Sequence, residues 1–126
     1  MKLLIDTLIY LWALVAPEKL SASVRDALET RTNTVYVSSI VIAEIMIKAS
    51  IGKLTIDFDP VAMAEATGFE LLDFTPLDAS LLKEMPFHHK DPFDRMLIAQ
   101  SINNALHLVT EDDKFKQYDC RLFGGK

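Results

Sequence analysis

Cysteine is almost absent from this chain, and Cys120 is its single example. One cysteine excludes an intramolecular disulfide framework and fits a reducing cytoplasm. The apolar run at the start of the chain is interrupted by Asp6, which argues against a signal peptide. No stretch reaches the ~18 uncharged apolar residues that a membrane span needs. We therefore expect a cytoplasmic protein that does not insert into a membrane.

Positive charge is also scarce, with 13 Lys and Arg against 18 Asp and Glu. The formal net charge is −5 and the isoelectric point is about 5.1. The composition therefore predicts no basic surface of the kind that marks nucleic-acid-binding proteins, which counts against such a function. The same acidity would suit a basic partner protein.

Several common functional motifs are missing from the sequence. It has no Cys/His spacing for zinc, no P-loop or G-x-G-x-x-G, and no G-x-S-x-G nucleophile turn. What it does have is 126 residues, half of them hydrophobic. This length and composition predict a single domain, 1–126, with an ample core.

Strand-like and helix-like segments alternate along the chain. The apolar, β-rich runs predict strands at 2–5, 35–37, 70–74, 106–109 and 121–123. Helical periodicity and capping residues predict helices at 7–14, 21–30, 39–51, 60–67, 77–85 and 92–103, and a helical turn at 114–118. This alternation predicts an α/β domain with a mainly parallel sheet, in which ligands bind beyond the carboxyl ends of the strands.

Four carboxylates stand in separate segments that such a fold can bring together. Asp6 and Asp112 follow predicted strands, and Asp94 lies near the start of a predicted helix. Glu44 lies in an otherwise apolar helical stretch, where a lone charge is costly to bury. Converging carboxylates repel each other unless a cation joins them, and oxygen ligands suit Mg²⁺ or Mn²⁺. The pattern therefore predicts metal-dependent phosphoryl chemistry.

Each of these acids also has a purely structural interpretation. Asp6 and Asp112 are favoured helix caps, and Asp94 stands at the third position of its helix, where a carboxylate completes a capping box. Glu44 precedes Lys48 by four residues, which is the spacing of an ordinary helical ion pair. The metal hypothesis therefore rests on the joint placement of the four acids.

The segment before the helix at 92–103 adds three polar residues. Asp91 precedes a proline and is interpreted as the N-cap of this helix. His88 and His89 are candidate metal ligands by type, but we expect both in a solvated loop.

The residues at 3–7, 38–44, 88–100 and 108–112 resemble the PIN-domain family, and more narrowly the VapC-type toxins of bacterial and archaeal toxin–antitoxin pairs. The resemblance covers nearly the whole chain in the right order. Its most specific part is the segment from Asp91 to Gln100. Leu8 departs from the pattern, because similar proteins often carry a polar residue there.

The resemblance implies a Rossmann-like three-layer α/β/α sandwich and an endoribonuclease that depends on Mg²⁺ or Mn²⁺. It implies cleavage of single-stranded or structured RNA. By position, Asp6, Glu44, Asp94 and Asp112 match the acidic quartet of the family. Thr110 matches a supporting hydroxyl beside the last acid.

Other residues near these positions are candidates for supporting roles. Asp113 is an extra carboxylate that could share a metal ion. Lys48, Lys53, Lys90 and Arg95 are candidate contacts for substrate phosphates.

The resemblance also implies a homodimer and a small antitoxin partner. The hydrophobic content of the chain is consistent with apolar surface left for an interface. The predicted helices at 21–30 and 39–51 are the candidate surfaces.

Two other functions fit parts of the sequence. A receiver-type phosphorylation switch has a similar length and element pattern, but it needs an aspartate pair after the first strand. Here Asp6 stands alone before Thr7. A non-catalytic binding module on the same fold is the second alternative. The presence of all four acids argues against a loss of catalytic function.

Overall fold

Five parallel strands form the centre of the computed structural model, which describes residues 1–123. The strands are β1 (Lys2–Ile5), β2 (Thr34–Ser38), β3 (Glu70–Leu72), β4 (His107–Val109) and β5 (Arg121–Leu122). Their order in the sheet is β3-β2-β1-β4-β5. In the register, Leu4 pairs with Tyr36 on one side and with Leu108 on the other. β1 is therefore central, and Leu3, Leu4 and Ile5 are fully buried, as expected for a parallel sheet covered on both faces.

Within residues 1–123, six α-helices connect and cover the strands of the sheet. They are α1 (Thr7–Val15), α2 (Ala22–Glu29), α3 (Ser39–Ser50), α4 (Pro60–Thr67), α5 (Pro76–Ser80) and α6 (Pro92–Asn103). Short 3₁₀ turns follow at Pro17–Lys19, Leu81–Lys83 and Asp113–Gln117. None of the helices in residues 1–123 has the length and apolar character to cross a membrane.

The helices begin at side chains that satisfy their first free amides. Ser21 caps α2 by accepting from Val24 N–H, and Asp59 caps α4 with a proline at the first helical position. α4 ends at Gly68, whose φ of 90° lies in the left-handed region that glycine adopts readily. These local signals explain why the predicted helix boundaries agree closely with the observed ones.

The predicted α/β/α sandwich with a parallel sheet is confirmed. The clearest local error is the helix predicted at 77–85, because α5 begins at Pro76, ends at Ser80 and continues only as a 3₁₀ turn. Thr75 and Asp78 form a capping box that sets the start of this helix. The strand predicted at 70–74 ends at Leu72.

The order of the strands separates this fold from that of the receiver domains. Receiver domains have the flavodoxin-like order 2-1-3-4-5, whereas this sheet has the order 3-2-1-4-5. The receiver alternative is therefore wrong. From β1, the connections lead to β2 and β3 on one side of the sheet and then to β4 and β5 on the other side. Ligands bind in the crevice at the carboxyl ends of a strand pair such as β1 and β4, where the strand order changes side.

Candidate metal centre

Asp6 is the first residue after β1, at the carboxyl end of the central strand. Its side chain is 6% exposed, and one oxygen caps α1 by accepting from Ile9 N–H at 2.9 Å. The pKa of Asp6 is raised to about 6, chiefly by burial and also by the nearby Glu44 and Asp112, against the lowering effect of the Thr110 hydroxyl and the Ile9 amide. The predicted cap is present, and the same side chain also faces two other acids.

Glu44 lies on the buried side of α3 and is 5% exposed. Its Oε1 accepts a hydrogen bond from the Thr7 hydroxyl, which ties α3 to the start of α1. Its Oε2 accepts from Lys48 Nζ at 2.7 Å, and this bond raises the pKa of Lys48. The predicted helical ion pair is present, but its carboxylate is buried. This half-buried pair offsets part of the cost of placing a charge inside the fold.

Asp94 lies in the first turn of α6. Asp91 caps this helix as predicted, because its side chain accepts from the amides of Phe93 and Asp94 at 2.9 and 3.1 Å. The Asp94 side chain turns instead to His89, and its Oδ2 lies 3.0 Å from His89 Nε2. Burial raises the pKa of Asp94 to about 7, and the charges of Asp91, Asp6 and Glu44 act in the same direction against His89.

Asp112 lies beyond the end of β4 and has two roles at once. Its Oδ1 accepts from Lys114 N–H at 2.9 Å and caps the 3₁₀ turn, as predicted. Its Oδ2 lies 3.0 Å from His89 Nε2. Thr110 Oγ1 accepts from the Asp112 amide at 3.0 Å and also interacts with Asp6, so this hydroxyl supports two of the four acids.

The prediction that both histidines lie in a solvated loop is wrong for His89, although His88 is exposed. His89 is buried because its ring packs edge-on against Phe115, with ring centres 5.9 Å apart. Its main-chain amide donates to Tyr118 Oη at 2.9 Å. No local pattern could reveal this burial, because the covering residues lie more than twenty positions further along the chain. Atoms of His89, Asp94 and Asp112 lie within 4.8 Å of one another.

The four acids line one cavity of about 450 Å³ at the crevice between β1 and β4. Lys48 and Lys53 also line it, as two of the predicted phosphate contacts. The remaining lining residues include an apolar wall of Leu8, Leu11 and Leu54. The structure therefore places carboxylates, ammonium groups and apolar side chains around one open space.

Three other predicted site residues lie elsewhere. Arg95 directs its guanidinium to Pro86 O and Tyr118 Oη, both at 3.1 Å, and stacks on Phe87. The N–H groups of the Arg95 guanidinium therefore hold the loop before α6 in place. Lys90 is exposed and does not line the cavity.

Asp113 is exposed and pairs with Lys116 at 3.0 Å on the outer surface. It lies outside the cavity that the four acids line.

The donor set fits a hard divalent cation. The raised pKa values of Asp6 and Asp94 show that their ionised forms are disfavoured in the metal-free site. Burial is the largest cause in both cases, and the charges of neighbouring acids add to it. A cation between the carboxylates would stabilise their ionised forms, and carboxylate oxygens are the ligands that such ions prefer. Lys48 pairs with Glu44, so its charge offsets one of the four carboxylates.

The fold matches those of toxin–antitoxin complexes of known structure. VapBC2 from Rickettsia felis, bound to a DNA fragment from its promoter, has a TM-score of 0.72 and 21% identity over 97% of this chain and 96% of that chain. DNA-bound VapBC from Salmonella typhimurium has a TM-score of 0.66 and 18% identity, with 97% and 96% covered. VapBC-5 from Mycobacterium tuberculosis has a TM-score of 0.58 and 19% identity, with 94% and 90% covered.

At the level of sequence, no curated protein gives a significant match. The family model described as the PIN domain matches residues 3–120, which is nearly the whole chain. The match includes all four acids that line the cavity. The chain therefore belongs to the PIN domain family.

Proposed function

We propose that this chain is a divalent-metal-dependent endoribonuclease and the toxin of a VapC-type toxin–antitoxin pair. The observation that carries the proposal is the convergence of Asp6, Glu44, Asp94 and Asp112, from four separate segments, on one cavity. PIN domain membership supports nuclease chemistry. The VapBC complexes that share the fold support the antitoxin pairing.

In this proposal the four carboxylates hold Mg²⁺ or Mn²⁺, and Thr110 holds Asp6 and Asp112 in place. A bound cation of this class polarises a phosphoryl oxygen and lowers the pKa of a coordinated water. With water as the nucleophile, the ribose 2′-hydroxyl is not required, and the products carry a 5′-phosphate and a 3′-hydroxyl.

The rest of the cavity suits a single-stranded nucleic acid. Lys48 and Lys53 are the proposed phosphate contacts, because both line the cavity. The wall formed by Leu8, Leu11 and Leu54 offers apolar surface to a ribose or an unstacked base, which single-stranded RNA can present. Leu8 is 44% exposed and so is accessible to a substrate.

The direct test is cleavage of a panel of single-stranded RNAs by the purified chain. Cleavage should require Mg²⁺ or Mn²⁺ and stop with EDTA. We expect D6N, E44Q, D94N and D112N each to abolish cleavage while the variants remain folded by circular dichroism. Full cleavage in EDTA would contradict the proposal.

Asp113→Asn is the matched control for these variants, because Asp113 is an exposed acid next to the quartet and outside the cavity. It should cleave like the wild type. Asp91→Asn should also retain near-normal activity, because asparagine caps helices as well as aspartate does. A quartet variant that loses activity only by unfolding would mean that its acid is structural.

The acidic cavity also suits a basic antitoxin. A partner that places an Arg or Lys side chain among the carboxylates would compete with the metal for the same oxygens. Such a partner, co-expressed from a small neighbouring reading frame, should therefore bind less tightly as Mn²⁺ is added. Binding that does not change with Mn²⁺ would rule out this mode of inhibition.

A further inference from the structure

Phe115 packs on the ring of His89, and Tyr118 holds its main chain. Phe115 and the ring form a T-shaped pair with an interplanar angle of 76°, and Tyr118 Oη accepts hydrogen bonds from the main-chain amides of both His88 and His89. The side chain is 7% exposed, so its two nitrogens must find partners inside the protein.

One of these partners is a main-chain amide. The N–H of Asp91 donates to His89 Nδ1 at 3.2 Å. Because an amide N–H can only donate, Nδ1 must present its lone pair to it. In a neutral imidazole the hydrogen then lies on Nε2. The turn that caps α6 therefore selects the tautomer of the ring.

The other nitrogen faces two acids of the cavity. His89 Nε2 is hydrogen-bonded to Asp112 Oδ2 at 3.0 Å, and Asp94 Oδ2 lies at the same distance from it. Asp94 belongs to α6, whereas Asp112 follows β4. The positive end of a single N–H dipole thus lies between two carboxylates that would otherwise repel each other.

We infer that His89 is a positioning residue that sets the separation of Asp94 and Asp112 through its Nε2–H, and that it is not itself a metal ligand. This inference rests on the proposed function, because it takes these two acids as metal ligands. The ring leaves the other lone pairs of both carboxylates free for a cation. Side chains that orient ligands in this way strongly affect metal affinity.

The same geometry argues against direct ligation by the ring. A metal bound to Nε2 would need the lone pair of that nitrogen, which would move the hydrogen to Nδ1. The Asp91 amide already points its own hydrogen at Nδ1. Direct ligation would therefore bring two hydrogens face to face in a buried turn.

The first test measures the tautomer in the metal-free chain. Long-range ¹H–¹⁵N NMR of histidine-labelled protein at neutral pH distinguishes the two neutral tautomers from the imidazolium. We expect Nε2 of His89 to carry a hydrogen. A predominant Nδ1–H form, which has no hydrogen on Nε2, would overturn the inference, and this result does not depend on any variant.

The second test measures Mn²⁺ affinity by calorimetry in the wild type, His89→Phe and His89→Gln. Phenylalanine keeps a ring against Phe115 but has no hydrogen-bonding group, so we expect binding about 10–100-fold weaker. Glutamine offers an N–H to the carboxylates and an oxygen to the Asp91 amide, so it should restore most of the affinity. His88→Phe is the matched control, because that exposed ring packs on Tyr118, and it should bind Mn²⁺ like the wild type.

The outcomes separate this inference from the proposed nuclease. Equal Mn²⁺ affinity in His89→Phe and the wild type would overturn the inference about His89. Equal losses of affinity in His89→Gln and His89→Phe would also overturn it, because they would indicate direct ligation by the ring. A wild type that binds no Mn²⁺ would overturn it as well. Neither test requires turnover, so a chain that passes both but cleaves no RNA would refute only the proposed function.

Discussion

At the scale of single residues, capping a helix and lining the cavity are not exclusive roles. Asp6 and Asp112 each use one carboxylate oxygen to accept a main-chain amide, at 2.9 Å in both cases. The cap holds each carboxylate rigid, and each side chain also lines the cavity. The second oxygen of Asp112 contacts His89 Nε2 there. Sequence reasoning could find these acids but could not choose between a cap and a place in the cavity, because each side chain has both.

The pKa of Asp94 gives a prediction about stability in EDTA. Its folded-state pKa is about 7, against an ordinary value of 3.8. Between these values the folded state binds more protons than the unfolded state, so the contribution of Asp94 to stability falls as pH rises. Asp94→Asn removes this titration. We expect the variant to gain stability relative to the wild type from pH 4 to pH 7, by about 1–3 kcal/mol at pH 8.

Thermal and urea denaturation of both proteins in EDTA, from pH 4.5 to 8, is the measurement. The difference between the two profiles isolates Asp94 from the other groups that titrate in this range. Parallel profiles would mean that Asp94 carries no such penalty. The neighbouring His89 does not lose its contact in the variant, since the asparagine oxygen can still accept from Nε2.

At the scale of elements, Asp78 joins the start of α5 to the end of α6. Its carboxylate is 1% exposed and accepts from the Thr75 amide at 2.9 Å and from Asn103 and Asn104 at 2.7 and 3.0 Å. Burial alone would raise the pKa of Asp78, but these bonds outweigh it and the pKa is lowered. The bonds therefore stabilise the fold above about pH 4, and this contribution is lost as the pH falls further.

Asp78→Ala removes these bonds and leaves buried amide groups unpaired. We expect a loss of about 2–4 kcal/mol in the free energy of unfolding at pH 7, measured with urea. Asp59→Ala is the control, because Asp59 is an exposed cap of α4 whose removal should cost about 1 kcal/mol. Equal effects of the two changes would show that Asp78 acts only as a cap.

The elements whose bounds were predicted best are those with a local sequence signal. The apolar run Leu3–Ile5 marks β1, and Asp91 followed by proline marks the start of α6. His89 and Arg95 were misplaced because their partner Tyr118 lies 29 and 23 residues away in the chain. A sequence pattern can place a side chain on a helix or loop, but tertiary packing decides whether it faces the cavity.

At the scale of the whole molecule, the topology explains why four distant acids meet. β1 and β4 are neighbours in the sheet although a hundred residues separate them, and the segments after both strands carry an acid. α3 and α6 contribute one acid each from the helical layers. The four acids therefore account for part of the negative net charge that argued against nucleic-acid binding. A bound divalent cation would reduce that charge.

The outer face of α3 gives the last prediction, on assembly. Ala43, Met46, Ile47 and Ile51 form an exposed apolar stripe along this helix and its end, in one of the two regions predicted for an interface. Contiguous apolar surface of this kind marks interaction sites. We propose that a second copy of the chain covers it, and we expect light scattering to show a dimer at micromolar concentration.

Ile47→Glu should shift the chain to a monomer, because a dimer would bury the new charge without a partner. Leu77→Glu is the matched control, since Leu77 is a single exposed leucine of α5 at 73% exposure and its change should leave the dimer intact. Ile47 does not line the cavity, so the monomer should still bind Mn²⁺. A wild type that is strictly monomeric at micromolar concentration would refute this assembly and favour a nuclease that acts as a single chain.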